Sequence, residues 1–225
     1  MQILHSSFYG DPNIGLYAKA CDKFCLVGSF VSDKDIKSIK EYLKVTVKKC
    51  LIANTDFTGL FSVANSNGIL LSKVVTEREI EMFERIAKEF GINLAVLDSK
   101  FSAVGNLILC NDKGAAVSEL FRKSDIDKMK DCFDVEIAKV KVANTDIVGS
   151  CGVATNKGCL LHRDASEEEI KSIGEILKVN ADIGTANFGS PFVGSCIISN
   201  SSGALMGDRT TPPEMDRLMQ TLNLD

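Results

Sequence analysis

Apolar and polar positions alternate in blocks along this chain, and the blocks recur. Gly59-Leu60-Phe61-Ser62-Val63-Ala64 is a short apolar run, Asn65-Ser66-Asn67-Gly68 is polar, and Ile69-Leu70-Leu71 is apolar again. An Asn-x-x-Gly break between two apolar runs predicts a β-hairpin, with the final glycine supplying a left-handed turn conformation. Ile80, Phe83, Ile86, Ala87 and Phe90 then fall on one stripe of a helix, and Ile92 to Val96 predicts a third strand.

The same block is written five times. Gly15, Gly59, Gly105, Gly149 and Gly194 stand 44, 46, 44 and 45 residues apart. A second glycine follows nine residues later at Gly68, Gly114, Gly158 and Gly203; the first copy has Phe24 there. Each predicted helix opens on a hydroxyl with an acid three residues on: Ser32/Asp35, Thr76/Glu79, Ser124/Asp127, Ser166/Glu169 and Thr211/Glu214. That spacing is a capping box, and Pro212 fits the first helical position. Third strands are expected at Val45–Val47, Ile92–Val96, Val135–Ala138 and Lys178–Ala181.

The fifth copy lacks a third strand, while apolar residues from Gln2 to His5 have no helix before them. The N-terminal segment is therefore expected to complete the fifth unit and close a ring, which removes exposed sheet edges. The prediction is one α/β domain over 1–225. A period near 45 with a helix in every unit and no tryptophan excludes a WD-type propeller.

Composition narrows the function. With 26 Lys+Arg against 30 Asp+Glu, a net charge of −4 argues against a mainly electrostatic grip on nucleic acid. Eight cysteines include no Cys-x-x-Cys pair, and His5 and His162 are the only histidines, so no zinc site is expected. Most of the cysteines lie in apolar runs and read as reduced core residues. No signal peptide or membrane span is apparent, and a cytoplasmic protein without cofactor is expected.

Several segments resemble the translation initiation factor 6 family, archaeal type: Val63 to Leu71, Ser102 to Leu107, Cys110-Asn111-Asp112, Val148-Gly149-Ser150 and Gly184-Thr185-Ala186-Asn187. The resemblance runs the whole chain in register. It implies a pentein fold of five ββαβ-type units, with helices outside and strands around a channel. It also implies a non-enzymatic, monomeric factor that binds the intersubunit face of the large ribosomal subunit, near ribosomal protein uL14 and the sarcin–ricin loop. Release by a factor of the Shwachman–Bodian–Diamond type would follow. The chain ends at Leu222-Asn223-Leu224-Asp225, so regulation through a C-terminal tail is not expected.

Two chemical alternatives arise. Pentein enzymes such as deiminases use a nucleophilic cysteine, and Cys196 or Cys159 with His162 and Asp164 or Asp182 supplies the ingredients. His162 reads instead as an exposed loop residue and Cys196 as part of a core strand; no electropositive setting for a thiolate is evident. Gly184 to Gly194 lacks the spacing of either phosphate-loop motif and reads as an enlarged turn.

Function should lie where the copies differ. Beside the repeat glycine stand Leu16, Leu60, Asn106, Ser150 and Ser195, predicted to share one rim. In the family the position matching Asn106 lies on the ribosome-binding face. Asn106 is the first candidate contact, followed by Leu60, Phe57 and Phe188 as apolar anchors. Asn13, Asn54, Asn144 and Asn187 recur upstream and are expected to fix turns. Lys19 and Lys113 could reach RNA phosphates, but a lone lysine is usually solvated surface.

Overall fold

The computed structural model describes residues 2–224; Met1 and Asp225, the ends of the expected span, lie outside the described residues. Five three-stranded sheets surround one axis. In unit 2, Ser62–Ala64 is the inner strand, Gly68–Ser72 the middle strand and Asn93–Leu97 the outer one. Inner and middle strands run antiparallel; middle and outer strands run parallel through the helix Glu77–Phe90. The other units repeat this order.

The ring closes as expected. Ile3–Ser6 pairs in parallel with Gly203–Gly207, from Ile3↔Ala204 to Ser6↔Gly207, and is the outer strand of unit 5. The fold is thus a closed mixed α/β ring built from five units, as the resemblance implies. Its core is divided into apolar wedges between neighbours. One wedge joins Met129 and Phe133 on the helix of unit 3 to Val63 and Leu70 on the sheet of unit 2.

The repeat glycines are required for a reason other than the expected one. None of the five, nor Gly68, Gly114, Gly158 or Gly203, has a positive φ. Their constraint is close approach. A Cβ on Gly59 would collide with the carbonyl oxygen of Gly15, one on Gly105 with that of Gly59, and so on through Gly149 and Gly194 back to Gly15. Five backbones meet round the axis in a closed circle that no side chain can enter. Gly59 also sits in a short helical turn, Thr58–Phe61, so the strand starts later than the apolar run suggests.

The second set of glycines makes room for helix ends. A Cβ on Gly68 would strike the carbonyl of Cys132, where the helix of unit 3 ends; Gly114 meets Ile176 and Gly158 meets Thr221 in the same way. Unit 1 has Phe24 instead, which packs on Phe90 with ring centroids 5.0 Å apart, at the end of the longer helix Glu77–Phe90. Asn65 stitches the joint: its amide donates to Phe133 O (2.9 Å) and Asn111 O (3.3 Å), while its Oδ1 accepts from Gly68 N (3.0 Å). Asn111 and Asn200 do the same one unit on.

Helix ends refine the sequence expectation. Ser32, Thr76, Ser166 and Thr211 are N-caps as expected. The third cap is Arg122, not Ser124: the Asp125 carboxylate accepts from Arg122 N (2.9 Å) and from its guanidinium. Lys44, Gly91, Asp134, Lys178 and Asn223 end the helices in the left-handed conformation, and in units 1 to 4 the outer strand begins beyond that residue. Lys178 and Val179, expected in a strand, precede the observed Asn180–Gly184.

The capping acids also hold the links between units. Glu79 accepts from Thr76 N (2.8 Å) and from Ala53 N (3.0 Å) and Asn54 N (2.8 Å), two residues with positive φ. Glu169 holds Ala143 and Asn144 in the same manner, and Glu214 holds Phe188 and Gly189. Non-glycine residues in this conformation cost about 1 kcal/mol each, offset here by bonds to a charged acceptor. Asn54 and Asn144 are thus scaffold through their backbone. The last turn, Ala186 to Ser190, is one residue longer than Ile52 to Thr55, which confirms the enlarged turn.

Two outcomes follow. Gly59→Ala should destabilise the protein by about 1–3 kcal/mol or more in urea denaturation, the range for forced overpacking. Gly91→Ala, with φ +61 and open space around it, should lose only about 1 kcal/mol. Equal losses would contradict the ring constraint. Burial opposes ionisation of Glu79, yet the N–H groups of Thr76, Asn54 and Ala53 hold its pKa below the usual carboxylate range. Its stabilisation is therefore full above the unfolded pKa and is lost as pH falls through the folded one. Glu79→Gln should be about 1–3 kcal/mol less stable at neutral pH, and the gap should shrink below about pH 4. A gap that persists at pH 3 would contradict this assignment.

Candidate functional site

The strands give the ring two unlike ends. At one end lie the hairpin turns and the helix C-termini. At the other lie the glycine circle, the helix N-termini and the links between units.

The hairpin end is tied shut by polar groups. Asp112 accepts from Ser66 N (2.6 Å) and Oγ (2.8 Å), and the Asn156 amide bridges Asp112 (2.6 Å) and Asp22 (2.8 Å). Asp22 in turn accepts from Ser201 N (2.8 Å) and Oγ (2.7 Å). Each unit contributes one residue to this network. Lys113 is engaged at the same end, donating to Asn156 O (2.8 Å), so it does not stand free for RNA.

The glycine end is apolar in a way the hairpin end is not. The exposed large hydrophobics among the described residues are Tyr9 (84%), Phe188 (83%), Leu120 (44%), Phe192 (39%) and Phe57 (37%). All five stand on links or turns at the glycine end. Tyr9 stacks on Phe30 at 5.1 Å, Phe30 meets Tyr17 edge-on at 5.1 Å, and Tyr17 stacks on Phe57 at 5.2 Å. The row is anchored from below: Tyr17 Oη donates to Asp11 (2.7 Å), and burial together with that bond pushes the phenol up to about 12.

The sequence candidates fall on this end with different exposures. Phe57 and Phe188 are exposed; Leu60, Asn106, Leu16 and Ser195 are half-buried. Asn106, Leu16, Ser150 and Ser195 gather around the axial mouth, and Leu60 lies outside it. Ser150 is buried and its backbone is committed, accepting from Gly194 N (3.0 Å), so it is scaffold more than contact surface. Asn106 passes the chain to the next unit through its carbonyl, which accepts from Gly149 N (2.8 Å). Among the described residues its side-chain amide makes no hydrogen bond and is open to a partner.

Tyr9, Leu120 and Phe192 were not picked out by sequence reasoning. Tyr9 had a usable signal: the turn Phe8 to Asp11 is the structural counterpart of Ile52 to Thr55, so extending the repeat alignment into the N-terminal strand finds it.

The residues proposed for covalent chemistry do not form a reactive centre. All eight cysteines are buried. Burial raises the thiol pKa of Cys196 even though its hydrogen bonding with Ser190 and Asn187 pulls the other way, and burial holds Cys159 far above the usual range. A thiolate nucleophile needs the opposite shift. His162, expected in an exposed loop, is buried at the end of the strand Gly158–His162. Its Nδ1 accepts from Asp164 N (3.1 Å), and its ring packs edge-on against Phe192 at 5.6 Å. No described helix is long and apolar enough to cross a membrane.

Residues 3–221 match the model of the eIF-6 family. The chain is 38% identical over 226 residues to "Translation initiation factor 6" of Pyrococcus abyssi, covering 100% of both chains. It is 37% identical over 227 residues to the protein of that name from Methanocaldococcus jannaschii, covering 99% of this chain and 98% of the relative. Among solved structures, a dimethylarginine dimethylaminohydrolase overlaps 77% of this chain and 68% of its own at 10% identity and a TM-score of 0.47, too loose to carry an argument. A closed five-unit ring matched from end to end by archaeal translation initiation factors belongs to the eIF-6 family.

Proposed function

We propose that this protein binds the large ribosomal subunit on its intersubunit face and blocks association with the small subunit. The observation that carries this reading is that the exposed large hydrophobics among the described residues all stand at the glycine end, the end at whose axial mouth Asn106 lies. Contiguous exposed apolar surface marks an interaction site, and aromatic anchors dominate such interfaces. The mechanism needs no chemistry. A rim grips the subunit, and the rest of the ring occupies the space the small subunit would fill.

A net charge of −4 favours a protein partner over a purely RNA one. That fits a contact centred on uL14 with the sarcin–ricin loop nearby, as the family resemblance implies. Asn106, Phe57, Phe188 and Leu60 are the proposed contacts, with Leu16 and Ser195 at the mouth. The factor acts as a cytoplasmic monomer in initiation and subunit biogenesis, and a factor of the Shwachman–Bodian–Diamond type releases it. The deiminase reading finds no support in the raised thiol pKa of Cys196 and Cys159.

Sedimentation with purified archaeal large subunits tests this reading. The protein should comigrate with them and reduce 70S formation when small subunits are added. Phe188→Ala and Asn106→Asp should each weaken comigration by about tenfold, the effect of losing roughly 1.4 kcal/mol at an interface. Neither change should move Tm appreciably, and Cys196→Ser should leave comigration intact. Absence of comigration at micromolar protein would overturn the proposal. Unfolding of Asn106→Asp would assign Asn106 to the scaffold.

A further inference from the structure

Alignment of the units on their glycines singles out one more departure from symmetry. Four residues beyond each glycine, on the inner strand, stand Lys19, Val63, Leu109, Val153 and Ile198. The four apolar members are buried. Lys19 pairs opposite Leu26 and lines the axial cavity at the glycine end. Cys110, across the axis in unit 3, lines the same cavity.

The next position along the strands reads Ala20, Ala64, Cys110, Ala154 and Ser199. Ser199 is buried, its Oγ has no hydrogen-bond partner, and it lines the same cavity. Asn106 stands at the mouth with an uncommitted amide. Among the described residues Lys19 makes no ion pair or hydrogen bond. Three uncommitted polar residues, one of them cationic, therefore line a cavity of about 40 Å³. Asp22 and Asp112 line the adjoining chamber at the hairpin end, which shares Ala20, Cys110, Ala154 and Ser199 with this cavity, and their oxygens accept from Ser66, Asn156 and Ser201.

A partly buried ammonium without a counter-ion is unfavourable, and orphaned buried hydroxyls are rare. We infer that the axial cavity is a binding site for a small inorganic anion, held by the Lys19 ammonium with the Ser199 hydroxyl and the Asn106 amide as further donors. At roughly 10–15 Å³ per water, the cavity takes about three waters or one such anion. The site shares Asn106 with the ribosome reading, but its test uses the free protein, so either can fail without the other. Occupancy would couple units 1, 3 and 5 across the axis and so stiffen the ring.

The test uses the full chain in gluconate buffer at fixed ionic strength, titrated with sodium bromide in one arm and sodium phosphate in the other. Once the anion exceeds its Kd several-fold, Tm should rise by about 2–4 °C. The arm that responds identifies halide or phosphate. Lys19→Met, which restores the apolar pattern of the other units, should abolish the rise without lowering Tm in gluconate. Ser199→Ala should shift the titration to higher anion concentration. Bromide-soaked crystals of the unaltered protein should show an anomalous peak within hydrogen-bond reach of Lys19 Nζ, a readout that stands even if Lys19→Met fails to fold. An identical Tm response in the wild type and Lys19→Met, or water alone beside Lys19, would overturn the inference.

Discussion

Five backbones meet at the axis of this ring, and everything else is arranged around that meeting. Each repeat glycine lies against the carbonyl of the glycine in the preceding unit, closing a circle with no space for a single Cβ. The approach fixes how near the inner strands come to one another. It thereby sets the width of the axial cavity and the angle at which each sheet meets the next. A second set of contacts, between the hairpin glycines and the helix ends of the following unit, repeats the constraint at a larger radius. Apolar wedges then fill the spaces between units, and close packing makes each wedge sensitive to its neighbours.

A symmetric scaffold leaves its asymmetry to the surface. At the hairpin end Asp22, Ser66, Asp112, Asn156 and Ser201 satisfy one another, so little is left over for a partner. At the glycine end the links carry aromatic side chains into solvent, several from backbone conformations that need support. Phe188 has a positive φ and stands 83% exposed, held by a bond from its N–H to Glu214. Large apolar residues presented this way are costly for a solitary protein. Among the described residues their confinement to one end gives the ring a sticky rim and an inert one, which suits the proposed block by occlusion.

Much of the architecture was legible because repetition amplifies weak signals. A single Asn-x-x-Gly or Ser-x-x-Glu is ambiguous, but several in register define hairpins, helix starts and the closing strand. What was misread has two causes: contacts between units leave no mark inside one unit, and some helix ends carry no signal of their own. The glycines read as turn residues because sequence shows flexibility and hides the carbonyl from the next unit. Lys178 read as strand because nothing local announces a left-handed helix end. Arg122 was passed over for Ser124 since a guanidinium is not an expected cap partner, although Asp125 makes it one. His162 read as exposed from its charged neighbours, while Phe192 of the following unit covers it. Of the candidate contacts, Phe57 and Phe188 are exposed as expected, Leu60, expected as an exposed anchor, is half-buried and Ser150 is buried, while the exposure of Tyr9 was not foreseen.

The central claim is that the glycine end is the working face. Electron cryo-microscopy of large ribosomal subunits saturated with the protein addresses it most directly. The account predicts the ring on the intersubunit face, with Asn106, Phe57 and Phe188 against the subunit and the Asp22–Asn156–Asp112 network turned to solvent. A ring bound through its hairpin end, or density away from the intersubunit face, would contradict it.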